Sequence, residues 1–201
     1  MGAWLAEASQ AETVSWMALR AVERELRAHD APDMLARRAK AASDAALRNA
    51  SVLEAMAMRW GVRPRQPTFI PVSVRPLDAL AAENASQGCV RETWAALEAL
   101  YQSLAARDPV IRRTMGRIAA DGLRHAEFSW AVDTWAHRRL ASRGRERVAQ
   151  ARARAVTDVL EALSVERNRV LCIEAGLPNA ATARGLARDL GQALWSRPLS
   201  S

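Results

Sequence analysis

Lysine is almost absent from this chain. Lys40 is the only one among 29 basic residues, so the formal charge of +7 on 201 residues rests on arginine. Cysteine is nearly as scarce. Cys89 and Cys172 lie far apart in apolar helical contexts and form no CxxC pair, which argues against a zinc site or a disulfide framework and for free, buried thiols. With 9 glycines and 8 prolines, long stretches carry no helix breaker. No apolar run approaches the roughly 20 residues needed to cross a bilayer. The opening Met1-Gly2-Ala3-Trp4-Leu5-Ala6-Glu7 lacks the basic start and apolar core of a secretory signal, so a soluble, cytoplasmic protein is expected. No glycine-rich phosphate loop and no nucleophile elbow is present. His29 and His137 fall near predicted helix ends, where solvent or terminal carbonyls account for them.

A hydrophobic content of 50% supports one substantial core, and a single domain is expected. Arginines are spread over every predicted helix. The densest stretch holds Arg138, Arg139, Arg143, Arg145, Arg147, Arg152 and Arg154, interleaved with acidic and alanine residues in the manner of a solvated helical face. A nucleic-acid surface would instead gather basic residues on one face beside exposed aromatics, so nucleic acid is not an expected partner.

Periodicity predicts helix nearly throughout. Leu5, Val14, Trp16, Met17, Leu19, Val22 and Leu26 recur at mostly three- and four-residue steps from Trp4 to about His29. After the break Asp30-Ala31-Pro32-Asp33, a second, alanine-rich helix runs to Trp60, with Gly61 as its C-terminal cap; so many alanines predict close helix packing. Val62 to Pro76 contains Pro64, Pro67, Pro71 and Pro76 and reads as a stiff crossover, neither helix nor central strand. A third helix spans Leu77 to about Ala106, the turn Arg107-Asp108-Pro109 follows, and a fourth spans Pro109 to about Arg139. Beyond Gly144, a shorter helix carries Val148, Val156, Val159, Leu160 and Leu163; Val170 to Ile173 continues it, and Gly176-Leu177-Pro178-Asn179 introduces a last helix through Trp195.

The order is two tight helical hairpins joined by one long connection. That is the ferritin-like variety of four-helix bundle, here with additional C-terminal helices. The expected division is 1–140 for the bundle and 141–201 for a C-terminal extension packed on it. Ala46-Leu47-Arg48-Asn49-Ala50 in the second helix and Gly122-Leu123-Arg124-His125-Ala126 in the fourth form a near-repeat, which suggests duplication of the hairpin.

With this topology, the stretches Gly88-Cys89-Val90-Arg91-Glu92-Thr93, Ile118-Ala119-Ala120-Asp121, Arg124-His125-Ala126-Glu127 and Ala175-Gly176-Leu177-Pro178 are similar to those of ferritin-like, rubrerythrin-type diiron-carboxylate proteins of bacteria. The likeness extends from Trp4 to Trp195. In that family, the first and third helices each supply Glu and the second and fourth each supply Glu-x-x-His, whose spacing puts both ligands on one inward face. The resemblance places Glu12 at the first-helix carboxylate and His125 at the fourth-helix imidazole. It places Ala46 and Asn49 at the second-helix pair and Gly122 at the fourth-helix carboxylate. The third-helix ligand falls on Gln87 or Glu92, which an α-helix would set about 140° apart.

Both Glu-x-x-His motifs are therefore broken. Ala and Gly ligate nothing, and Asn replaces an imidazole poorly, so no diiron centre and no cofactor is expected. The alternative is a single zinc, manganese or iron ion held by Glu12, Glu92 and His125. Loss of the buried carboxylates leaves either a core into which Trp16, Met56, Trp94 or Trp130 collapses, or a cavity for a small molecule. Asp121 and Glu127 are expected to pair with Arg124 or Arg117 at the surface. Two functions follow: a non-catalytic scaffold or partner-binding protein, with a protein partner or a homodimer expected, or an enzyme or ligand-binding protein using Glu12, Glu92 and His125.

Overall fold

A computed structural model of the protein describes residues 1–68 and 73–195. Pro71, one of the crossover prolines, lies outside the described residues. The fold is all-α, with no strand among the described residues. No helix there is long and apolar enough to cross a membrane. The chain divides into two compact units, Met1–Pro76 and Leu77–Ser201.

The first unit is a helical hairpin of α1 (Gly2–Ala28) and α2 (Asp33–Arg59). Ser9 Oγ donates to the Ala50 carbonyl at 2.9 Å and Ser43 Oγ to the Trp16 carbonyl at 3.4 Å, an antiparallel register. Ala36, Ala39, Ala46 and Ala57 are buried with Leu5, Leu26 and Leu53, the close packing that the alanines predict. Both helices end in Schellman turns. In α2, the Val62 N–H bonds the Ala57 carbonyl and the Gly61 N–H that of Met58, with Gly61 at φ 73° as expected. In α1, Asp30 takes the left-handed position at φ 52°, and the Ala31 N–H reaches the Leu26 carbonyl.

A buried ion pair ties the far end of the crossover to α1. Glu25 is fully buried. Its Oε1 accepts from Arg75 Nε at 2.7 Å and from the Arg75 backbone N–H at 3.1 Å, and its Oε2 accepts from Arg75 Nη2 at 2.7 Å. His29 Nε2 donates to the Arg75 carbonyl at 2.7 Å, so His29 serves this clamp and not a helix-end carbonyl.

In the second unit, α3 (Leu77–Glu83), a π-helical segment (Asn84–Glu92) and α4 (Thr93–Ala105) run on without a break. Periodicity predicts one α-helix here; the π turns are the difference. The chain then reverses into α5 (Pro109–His137), started by Asp108, whose carboxylate accepts from the Val110 and Ile111 N–H groups with Pro109 in the first turn. α6 (Ser142–Ala162), α7 (Arg169–Glu174) and α8 (Ala180–Leu190) follow, with a closing π turn, Gly191–Trp195. Val90, Trp94, Ala155, Val159, Leu163, Ala183, Ala187 and Trp195 form one core, against which Trp130 packs. Trp94 and Trp130 therefore fill the seam with α6 and α8. At the α4–α5 turn, Gln102 Nε2 donates to the Ala175 carbonyl, and the Arg107 and Asp108 N–H groups bond the Ile173 and Glu174 carbonyls. Gly176 sits at φ 67°, where a Cβ would fall 2.4 Å from the Ala106 nitrogen.

Burial alone would raise the Glu25 carboxyl, but hydrogen bonds from Arg75 and its charge outweigh this and hold it below its ordinary value of 4.5. The pair's contribution is therefore present above pH 4.5 and is lost as pH falls through the lowered folded value. Glu25→Ala, which leaves Arg75 facing a buried void, is expected to cost about 3 kcal/mol in urea unfolding at neutral pH. The wild-type advantage over Glu25→Ala should shrink on acidification below pH 4.5.

Candidate functional site

The positions singled out by the family likeness are divided between the two units. On the hairpin, Ala46 and Asn49 are buried on α2 and Glu12 is half-buried on α1. In the second unit, His125 is buried on α5, Glu92 is half-buried and Gln87 is exposed. Among the described residues, no group of three or more His, Cys, Asp or Glu side chains is arranged to hold a metal ion.

The π segment changes the relation between Gln87 and Glu92. An α-helix sets residues five apart well around its axis, but the wider turn of an i→i+5 helix brings them much closer to the same side. Asn84–Glu92 includes both, so they share one side of the helix, and the expected angular separation is corrected. Their exposures still separate them, with Glu92 the more enclosed.

Several side chains supply the hydrogen bonds that surround this segment. The Cys89 carbonyl accepts from Thr93 Oγ1 at 2.9 Å and from Trp195 Nε1 at 3.2 Å. Asn84 Nδ2 donates to the Ser129 carbonyl at 2.9 Å, and Ser129 Oγ to the His125 carbonyl at 3.0 Å. Gly88 makes the crossing fit: a Cβ there would lie 2.3 Å from Ser129 Oγ and 2.6 Å from Ser129 Cβ.

Gly122 has a similar role one step along α5. A Cβ at this position would lie 3.0 Å from the Ala96 Cβ and 3.2 Å from its Cα. The position that the likeness assigns to a carboxylate therefore lies against Ala96 of α4, where a side chain would be tightly packed. The other half of the near-repeat behaves differently. Leu47 and Leu123 are 42% and 48% exposed, and Arg48 and Arg124 are exposed too. Only the positions around them, Ala46, Asn49 and Ala50 on α2 and His125 and Ala126 on α5, face inward. Arg124 pairs with Asp121, as expected.

Besides Glu25 and Arg75, a second buried charged pair escaped the sequence reading. Arg152 Nη2 donates to Asp133 Oδ2 at 2.5 Å, joining α6 to α5, and the guanidinium lies 5.2 Å from the Trp130 ring centre. Burial raises the Asp133 carboxyl despite Arg152, so desolvation exceeds the attraction and the pair specifies helix packing more than it adds stability. The signal was there: Asp133 falls in the buried phase of Val132 and Trp135, and Arg152 in that of Val148 and Ala155. Burial, reinforced by the Asp133 charge, pushes the Cys89 thiol far above its usual range, which keeps it protonated and weakly nucleophilic.

No protein-family model, curated protein or solved structure matches the chain.

The glycines give a direct test of packing. Gly122→Glu is expected to lower stability by about 1–3 kcal/mol through overpacking. Gly88→Ala is expected to destabilise as well, because its neighbour Ser129 is held by two hydrogen bonds. Gly185 on α8 has nothing within 4 Å of its Cβ position. Gly185→Ala should therefore stabilise by up to about 1 kcal/mol, as helix propensity dictates; thermal and urea melts of the three variants provide the comparison.

Proposed function

We propose that this chain is a ferritin-like four-helix protein that has lost its diiron site and acts as a non-catalytic scaffold or partner-binding protein. The observation that carries the reading is Gly122. The likeness calls for a bridging carboxylate there, and a Cβ at that position would already press on Ala96, 3.0 Å from its Cβ and 3.2 Å from its Cα. Ala46, fully buried, stands at the matching carboxylate of the second helix and offers no ligand atom. Substitution at both bridging positions leaves two ions with no shared carboxylate. In this reading the partner is a second copy of the chain or another protein, and the molecule works in the cytoplasm.

A second reading has a specific observation in its favour. His125 is buried, and Glu12 and Glu92 are both drawn partly out of solvent, which suits groups kept for binding or proton transfer. The family likeness, and not any arrangement among the described residues, is what would make Glu12, Glu92 and His125 ligands of a single zinc, manganese or iron ion supplying Lewis-acid chemistry, or groups for a small organic ligand.

Metal analysis of protein purified without chelator is expected to find well under one ion per chain; one tightly held ion would establish the second reading. His125→Ala is expected to shift thermal stability while leaving partner binding intact.

A further inference from the structure

The arginines differ in how their charge is met. In the dense stretch of α5 and α6, Arg152 is paired with Asp133, Arg147 with Asp78 at 2.8 Å, Arg139 lies over Trp135, and Arg145 Nε donates to the Leu140 carbonyl. Arg91 and Arg167, on neighbouring elements, pair with Asp158 and Glu98. Arg138, Arg143 and Arg154 in that stretch make no ion pair or side-chain hydrogen bond among the described residues, and the same holds for a sparser group at the end of α2. Arg59, Arg63 and Arg65 are exposed, and none makes an ion pair or side-chain hydrogen bond among the described residues. No acidic residue occurs from Ala55 to Leu77.

Two large apolar side chains stand beside them. Trp60 is 61% exposed and Met58 is 46% exposed. The Schellman turn at Gly61 fixes Trp60 at the helix end and sends the chain on through Arg63-Pro64-Arg65. α1 begins against this turn: a Cβ on Gly2 would fall 2.7 Å from Trp60 Cβ and 2.8 Å from Val62 Cγ2. The first turn of α1 has no acidic residue. An exposed indole flanked by three uncompensated guanidiniums is thus held on a defined turn.

We propose that this basic turn binds single-stranded nucleic acid without sequence preference, with a base stacked on Trp60 and backbone phosphates on Arg59, Arg63 and Arg65. Each feature has a counterpart in such a ligand. Aromatic faces accept any base, and guanidiniums match phosphate oxygens in a two-pronged geometry. The stretch has no carboxylate to repel a polyanion. The charge complementarity is local, beyond the overall excess of +7. A bilayer fits less well, since two apolar side chains on a short turn offer little area to insert.

The test is fluorescence anisotropy of labelled decathymidylate titrated with the full chain over a series of salt concentrations. Saturable binding is expected at low salt, with log K falling against log salt at a slope of about −2, as three phosphate contacts on a single strand require. Trp60→Ala should weaken binding about tenfold or more with the slope unchanged, because stacking releases no counterions. The triple variant Arg59→Gln, Arg63→Gln, Arg65→Gln should flatten the slope towards zero. All four positions are exposed, and matching thermal melts will show that each variant folds. Arg143→Gln with Arg154→Gln, on α6, should change neither quantity. The proposal is overturned by absence of saturable binding, or by binding that survives both turn variants. Capture of the chain by phosphatidylserine vesicles or polyglutamate, but not by decathymidylate, overturns it equally.

Discussion

Close approach of one helix to its neighbour is the constraint on which the second unit depends. α5 meets the preceding helix through Gly116, Gly122 and Ser129, set against Ser103, Ala96 and Gly88. A Cβ on Gly88 would clash with Ser129 and one on Gly122 would press on Ala96, whereas one on Gly116 would sit in ordinary contact with Ser103. Dispersion contacts between backbones this close are numerous, and loss of even one small residue forces a shift in the packing. Gly122 is therefore part of the packing.

The π segment extends the same constraint. Gly88 allows α5 to lie against it, and the polar groups there are accounted for by Asn84, Thr93, Ser129 and the indole of Trp195. Buried polar groups need such partners, and a stretch of i→i+5 helix this long persists only where the surroundings hold it. Asp133 and Arg152 reinforce the seam with α6. In the hairpin unit the equivalent anchor is Glu25, whose carboxylate gathers three donors from Arg75. Both pairs are buried, yet their carboxyls shift in opposite directions. Glu25 has enough hydrogen bonds to overcome desolvation, and Asp133 does not.

Charge has separate uses along the chain. Most guanidiniums of α5 and α6 close ion pairs, cover tryptophan faces or cap carbonyls, whereas those after α2 remain uncompensated beside an exposed indole. The turn at Trp60 is where exposed charge and exposed apolar area coincide.

The sequence by itself determined the helices and their ends. Asp108 before Pro109, Gly61 after Trp60 and Asn179 before Ala180 are local signals, because caps and turns are set by residues within a few positions of one another. It also determined that Ala46 and Gly122 can ligate nothing. Only the tertiary structure decided the rest. Leu47 and Leu123 belong to the repeat yet are exposed, since burial depends on which elements cover a face. The interval from Gln87 to Glu92 reads as ordinary α-helix, because the energy that favours π turns there comes from α5 and from Trp195, distant in sequence. The partners of Glu25 and Arg152 are likewise 50 and 19 residues away. Counting arginines located the densest stretch; only the fold showed which unpaired ones stand beside an exposed indole, because burial and pairing depend on the neighbours that the fold supplies.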